Sequence, residues 1–153
     1  MKRQFHSFMC AFRGVWDAIL DEAHLRFHLV AAFYVLLFSP FFELSAAQYA
    51  VLVLLIAAVL SAELFNTAIE NVCDAMTHEK NENIRLAKDI AAGAVLILAV
   101  GAVAVAVLFF WNADGWLRAL DFFNERFWLL IPLAFSAVLA VLFVWMPRKR
   151  KKK

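Results

Sequence analysis

The run LSAAQYAVLVLLIAAVLSA, residues 44–62, carries no charge over 19 positions, and the chain continues directly as ELFNTAIENVCDAM, residues 63–76. A helix needs about 20 mostly apolar residues to cross the hydrocarbon core of a bilayer, so the first part reads as a membrane span. The second part puts acids within and just after that span. Glu63, Asn66, Glu70 and Asp74 are spaced by 3, 4 and 4 residues. At about 100° per residue they fall on one narrow stripe of a helix, with Thr67 at its edge. An ionisable side chain at membrane depth is costly enough to be read as functional by default. Three acids on one stripe also repel one another unless a cation, a metal-bound phosphate or a proton sits among them. The structural alternative puts Glu70 and Asp74 at the membrane surface and Glu63 and Asn66 in interhelical hydrogen bonds.

Three further uncharged stretches flank this one: residues 29–42, 90–113 and 127–146, of 14, 24 and 20 residues. The first is short, and Arg26 and Glu43 are expected to bracket it by snorkelling, with Pro40 near its end. Before it, Phe5, Phe8, Met9, Phe12, Val15, Trp16 and Ile19 recur at helical spacing among charged residues. That pattern predicts a helix lying in the membrane surface rather than a secretory signal. The fold class is therefore an all-α membrane protein. An N-terminal amphipathic surface helix (about 2–24) precedes three core spans (about 27–44, 46–70 and 90–111). A linker then leads to an additional C-terminal span (about 127–146) and a basic tail. Residues 1–111 read as one membrane domain, and 112–153 as an extension.

Composition agrees. Of 153 residues 65% are hydrophobic and 18% charged, against about 45–50% and 25% in soluble globular chains. Collagen-like, disordered and disulfide-scaffold classes are excluded. Cys10 and Cys73 form no metal spacing. The net charge of +2 hides a strong segregation. Lys2, Arg3, Arg13 and Arg26 precede the first span, and Lys80, Arg85 and Lys88 lie between the second and third. Residues 148–153 are all basic, while the opposite side holds only Arg118 and Arg126. With four spans all three basic regions share one face, which predicts both termini in the cytoplasm. Trp111, Trp116, Trp128 and Trp145 fall near span ends, as interfacial aromatics do. Gly93 and Gly101, among alanines, offer small faces for close helix packing.

Other polar groups point toward the acidic stripe. Glu22 ends the surface helix, and Lys88 and Asp89 stand at the start of the third span. Carboxylates suit Mg²⁺, a hard cation that keeps waters and is completed by substrate phosphates, and a lysine supplies a compact charge for phosphate. Lys88 also reads as a snorkelling anchor of its helix. The four glycines form no Walker loop, and the soluble protein-kinase signatures are missing.

The run AELFNTAIENVCD, followed 14 residues after its Asp by KDIAAGAV, closely resembles the prokaryotic diacylglycerol kinase and undecaprenol kinase family. So does DEAHLRFHL before the first span, and the likeness extends from about Arg3 to Trp111. The resemblance implies a surface helix and three spans per subunit, a homotrimer with sites between subunits, and transfer of the γ-phosphoryl of Mg-ATP to a lipid hydroxyl. It implies Glu63 as general base, Glu22 and Glu70 as metal-binding carboxylates, Asn66 as an orienting group and Lys88 as a phosphate contact. Asp74 and Asp89 are implied as nucleotide-site or supporting acids, with Arg3 a further candidate there. His28 stands where diacylglycerol-preferring members carry an acid, and RFHL resembles the undecaprenol branch. Undecaprenol is thus the expected acceptor, diacylglycerol the alternative, and a bacterial cytoplasmic membrane the expected location. The helix after residue 112 departs from the family pattern. Its RKRKKK end reads as a topology anchor, or as a contact for anionic headgroups worth roughly 1 kcal/mol per basic residue.

Two rivals remain at this point: a small ion or proton transporter lined by Glu63, Asn66 and Glu70, and a noncatalytic membrane scaffold. Glu22 before one span and Lys88–Asp89 before another favour the kinase. A transporter gives no reason for acids and a lysine to collect at one interface level. No nucleic-acid partner is expected.

Overall fold

A computed structural model describes residues 2–76 and 81–147 of the chain, with side chains from residue 4 onward. The side chain of Arg3, Lys80 and the basic tail at 148–153 lie outside the described residues. Those that are described form helices and short connections, with no strand among them. Helix α1 (Lys2–Asp21) leads through one residue into α2 (Ala23–Phe38), which ends in a 3₁₀ turn, Ser39–Phe42. The long helices α3 (Ala46–Met76) and α4 (Glu82–Phe110) follow, then α5 (Ala113–Glu125) and, after a second 3₁₀ turn, α6 (Leu130–Val144).

Four of these segments are long and apolar enough to cross a membrane: Ala23–Phe42, Ala46–Met76, Glu82–Phe110 and Phe127–Val144. Helix α1 is different, because its exposed Phe5, Phe8, Phe12 and Trp16 recur at helical spacing between polar residues. Such a helix lies in the interface with its apolar face toward the acyl chains.

Length sets where the acids stand. At 1.5 Å per residue α3 is about 46 Å long, against a hydrocarbon core of about 30 Å. Some 20 residues from Ala46 carry the helix to the neighbourhood of Glu63. Glu70 and Asp74 then project toward the headgroups and water. In α4 the same arithmetic, run back from Phe110, leaves Lys88 and Asp89 just outside the apolar core. Asn81 starts α4 firmly, its Oδ1 accepting from the backbone N–H groups of Asn83 at 3.0 Å and Ile84 at 3.3 Å.

The core inside one chain is thin. Leu52, Val59 and Cys73 of α3 are buried, with Ala91 and Val95 of α4. A Cβ added at Gly93 or Gly101 would meet no other atom within 4 Å. The small residues of α4 at these positions therefore do not serve close packing within the chain.

The stretch expected to be a plain linker contains α5, an amphipathic helix that packs on the Ser39–Phe42 turn. Asn112 caps it, accepting from Asp114 N–H at 2.9 Å. The Phe42 ring meets Phe110 at 4.7 Å and Trp116 at 5.1 Å between centroids, in edge-to-face arrangements. Arg118 Nε donates to the Phe41 carbonyl at 2.7 Å, and its guanidinium lies 3.5 Å from Glu43. Glu43 has φ 51°, a left-handed conformation that ends the turn. Gly115 is required by this packing, since a Cβ there would come within 2.4 Å of the Phe42 ring. Gly115→Val is expected to push Phe42 aside and cost about 1–3 kcal/mol, as overpacked sites do. Thermal unfolding of the full chain in detergent micelles checks this, and an unchanged midpoint would show that the ring gives way freely.

Candidate active site

The acidic stripe of α3 meets α2 at Glu63 and α4 at Asp74, and its members find different partners. Glu63 is buried, with 5% of its surface exposed. Its Oε1 lies 3.1 Å from Nε2 of His28 on α2. An ionised carboxylate only accepts, so in that state His28 must carry its proton on Nε2. One turn further, Asn66 Nδ2 donates to Glu70 Oε1 at 2.9 Å. The other end of that amide is unusual: Asn66 Oδ1 is buried with no hydrogen-bond partner. Buried acceptors are nearly always satisfied, so this oxygen is ready for a donor or a cation. At the far end of the stripe, Asp74 accepts from Lys88 of α4. Glu70 is also within electrostatic reach of Lys88.

One of the expected site residues, Asp89, stands apart. It is exposed and pairs with Arg85 at 2.9 Å on its own helix, while Arg85 also holds Glu82 at 2.8 Å. Glu22 is the single extended residue between α1 and α2, with φ −108° and ψ 115°, at the same end of the bundle. Among the described residues no three His, Cys, Asp or Glu side chains form a group able to hold a metal. The oxygens nonetheless suit a hard cation, which takes one or two protein carboxylates and completes its shell with water and phosphate. Glu70, held by the Nδ2 end of the amide whose Oδ1 is the orphan, is one such carboxylate.

Below the Glu63–His28 pair an apolar groove of about 300 Å³ runs along the span, walled by Ala31, Val35, Leu52, Ile56 and Ala102, with His28 as its polar end. This groove brings together three helices distant in sequence, and no local pattern signals it. The direct contact of His28 with Glu63 is likewise a tertiary fact. Arg26 corrects an expectation: it does not snorkel but is buried, with 1% of its surface exposed. Its guanidinium is turned inward because unpaired helix-end carbonyls there need donors.

The model of the family described as prokaryotic diacylglycerol kinase matches residues 9–110, two-thirds of the chain. The sequence is 39% identical over 110 residues to a protein named undecaprenol kinase from Bacillus subtilis (strain 168), covering 72% of this chain and 89% of that one. It is 38% identical over 100 residues to a diacylglycerol kinase of Synechocystis sp., covering 65% of this chain and 57% of the relative. With the Escherichia coli (strain K12) diacylglycerol kinase it shares 29% identity over 105 residues, 69% of this chain and 86% of that one. Helices α5 and α6 lie beyond the matched stretch. The acids of α3, most of the surface helix and the first three spans fall where the match runs: the chain belongs to the prokaryotic diacylglycerol kinase family and is an ATP-dependent membrane lipid kinase.

Proposed function

We propose that the chain phosphorylates undecaprenol, transferring the γ-phosphoryl of Mg-ATP to its terminal hydroxyl and producing undecaprenyl phosphate. One observation carries this reading. Glu63, a buried carboxylate, is bonded to His28, and His28 is the one polar residue that lines an otherwise apolar groove, at the level where α3 leaves the hydrocarbon core. A greasy alcohol lying in the groove would present its hydroxyl to Glu63, and nucleotide would approach from the water side, where Asp74 and Lys88 meet.

The chemistry follows from these positions. Glu63 takes the hydroxyl proton as the lipid oxygen bonds to the γ-phosphorus and the bond to ADP breaks. His28 Nε2–H keeps the carboxylate aimed and stays bonded to it. Lys88, released from Asp74, offers its ammonium to phosphate oxygens. Asn66 orients Glu70 through its Nδ2–H. A bound Mg²⁺ would be held by Glu22 and Glu70 and would neutralise charge on the phosphates. Asp89 and Arg3 remain outer candidates for the nucleotide. Residues 1–111 form the kinase domain in this reading, and 112–153 its extension. A homotrimer accounts for the thin core of the single chain and the open glycine face of α4, with neighbouring subunits completing each site. Both termini then face the cytoplasm of a bacterial cell, where ATP is found.

The choice of undecaprenol over diacylglycerol rests on the groove and on the 39% relative that bears the first substrate's name. Apart from His28 the groove wall is apolar. It offers no donor to the ester carbonyls of diacylglycerol, and an unpaired buried carbonyl costs about 1–3 kcal/mol. In mixed micelles with labelled ATP and Mg²⁺, undecaprenol is expected to exceed diacylglycerol about tenfold in kcat/KM. Equal or better turnover of diacylglycerol reverses the acceptor assignment. No label in either lipid overturns both acceptors and points to another membrane alcohol.

A further inference from the structure

The mechanism above leaves one buried charge unused. Arg26 directs Nη1 at the carbonyls of Ile19 (2.9 Å) and Leu20 (3.0 Å), in the last turn of α1. Its Nη2 donates to Val144 (3.2 Å) and Met146 (2.8 Å), and Nε also reaches Val144 (3.4 Å), at the end of α6. All five N–H groups of the guanidinium are thus spent on the C-terminal carbonyls of two helices. Those carbonyls have no partner within their own helices, and each helix end carries roughly half a negative charge. Two such ends would repel if brought together alone, and the guanidinium between them converts that repulsion into a joint.

The position of the joint matters. Between α1 and α2 only Glu22 is non-helical, so the angle between these helices is set at Glu22. Arg26 is one turn further on and reaches back across that residue to α1. We propose that α6 is a working part of the kinase site rather than an anchor: by supplying two of Arg26's four acceptors it locks the α1–α2 joint and thereby aims Glu22. Arg26 is accordingly a positioning residue. The proposal rests on the reading of Glu22 as a metal-holding carboxylate. A second contact fixes α6 independently, Tyr34 Oη of α2 lying 3.0 Å from Ser136 Oγ. Ser136→Trp removes the hydroxyl that meets Tyr34 and sets a bulky ring between α2 and α6, so it breaks this second hold on α6 without touching the joint.

The test uses the full-length chain in lipid nanodiscs with undecaprenol, comparing Arg26→Gln and Ser136→Trp with the parent. Hydrogen exchange at residues 18–27 reports the joint, exchange at 140–146 reports the seating of α6, and Mg²⁺ titration of activity reports Glu22. Both variants are expected to speed exchange at the joint. Both should raise the half-saturating Mg²⁺ about tenfold, the scale of an outer-shell defect, with kcat at saturating Mg²⁺ much less changed. The double variant should be no worse than the stronger single one, because the two changes break one linkage. Should Arg26→Gln fail to fold, Ser136→Trp still decides. Loosened exchange at 140–146 with parent-like exchange at the joint overturns the coupling. A loosened joint with an unchanged Mg²⁺ response overturns the link to the site. Glu22→Gln, titrated alongside, separates the two readings: if it too leaves the Mg²⁺ response unchanged, the metal role of Glu22 has failed rather than the clamp.

Discussion

Glu63→Gln is expected to lower kcat at least a hundredfold while the protein still assembles, because general-base removal costs about 10²–10⁴-fold. The geometry makes the variant clean. Gln has the shape of Glu, and its Oε1 can still accept from His28 Nε2, now 3.1 Å from the carboxylate. The substitution replaces a buried charge by a neutral amide, which is easier to bury, so stability should hold or rise. Only the capacity to accept the lipid's proton disappears. The measurement is label transfer from ATP to undecaprenol at saturating substrate, beside the elution volume of the assembled protein. Turnover within about threefold of the parent would remove Glu63 as the base and leave its burial and its histidine partner as structural features.

The second large effect is expected at Glu70. Glu70→Gln keeps a hydrogen-bonding partner for Asn66, whose Nδ2 now donates to Glu70 Oε1 at 2.9 Å. It loses the negative charge that a divalent cation requires. Outer-shell partners of metals are worth roughly 10–100-fold, so loss of a direct ligand should raise the half-saturating Mg²⁺ beyond about tenfold. The nucleotide KM should rise with it, since metal and phosphates bind together, whereas the lipid KM should change little. Superimposable Mg²⁺ titrations of variant and parent would exclude a metal role for Glu70. The orphan Asn66 Oδ1 would then need a donor from substrate instead. The two variants fail in different places: Glu63→Gln is not rescued by Mg²⁺, and Glu70→Gln is rescued at least in part.

Some of this was legible in the linear chain because it depends on local geometry. The stripe of Glu63, Asn66, Glu70 and Asp74 follows from helical periodicity alone. The crossing segments follow from the free energy of moving charge into hydrocarbon, which any single helix feels. Lys88 at the mouth of α4 was placed near the stripe by the short connection between α3 and α4, and it bonds to Asp74. Asp89, its neighbour, shows the limit of such reasoning. One residue along a helix is about 100° of rotation, enough to turn it away to Arg85. The segment after residue 112 shows another limit. Its aromatic residues look like interfacial markers until Phe42 is seen to require a glycine at 115.

The amino-acid sequence by itself determined that this is a helical membrane protein, which helices cross, and which acids share a face. Those properties are set by hydrophobic length and by 3.6-residue periodicity, both of which act within one segment. Only the tertiary structure decided that His28 holds Glu63, that the groove below them is apolar, and that Arg26 joins the ends of α1 and α6. Each of these depends on which unpaired donors and acceptors of separate helices are brought within about 3 Å, and hydrogen bonds at that range are sensitive to helix rotation and tilt that no local pattern encodes.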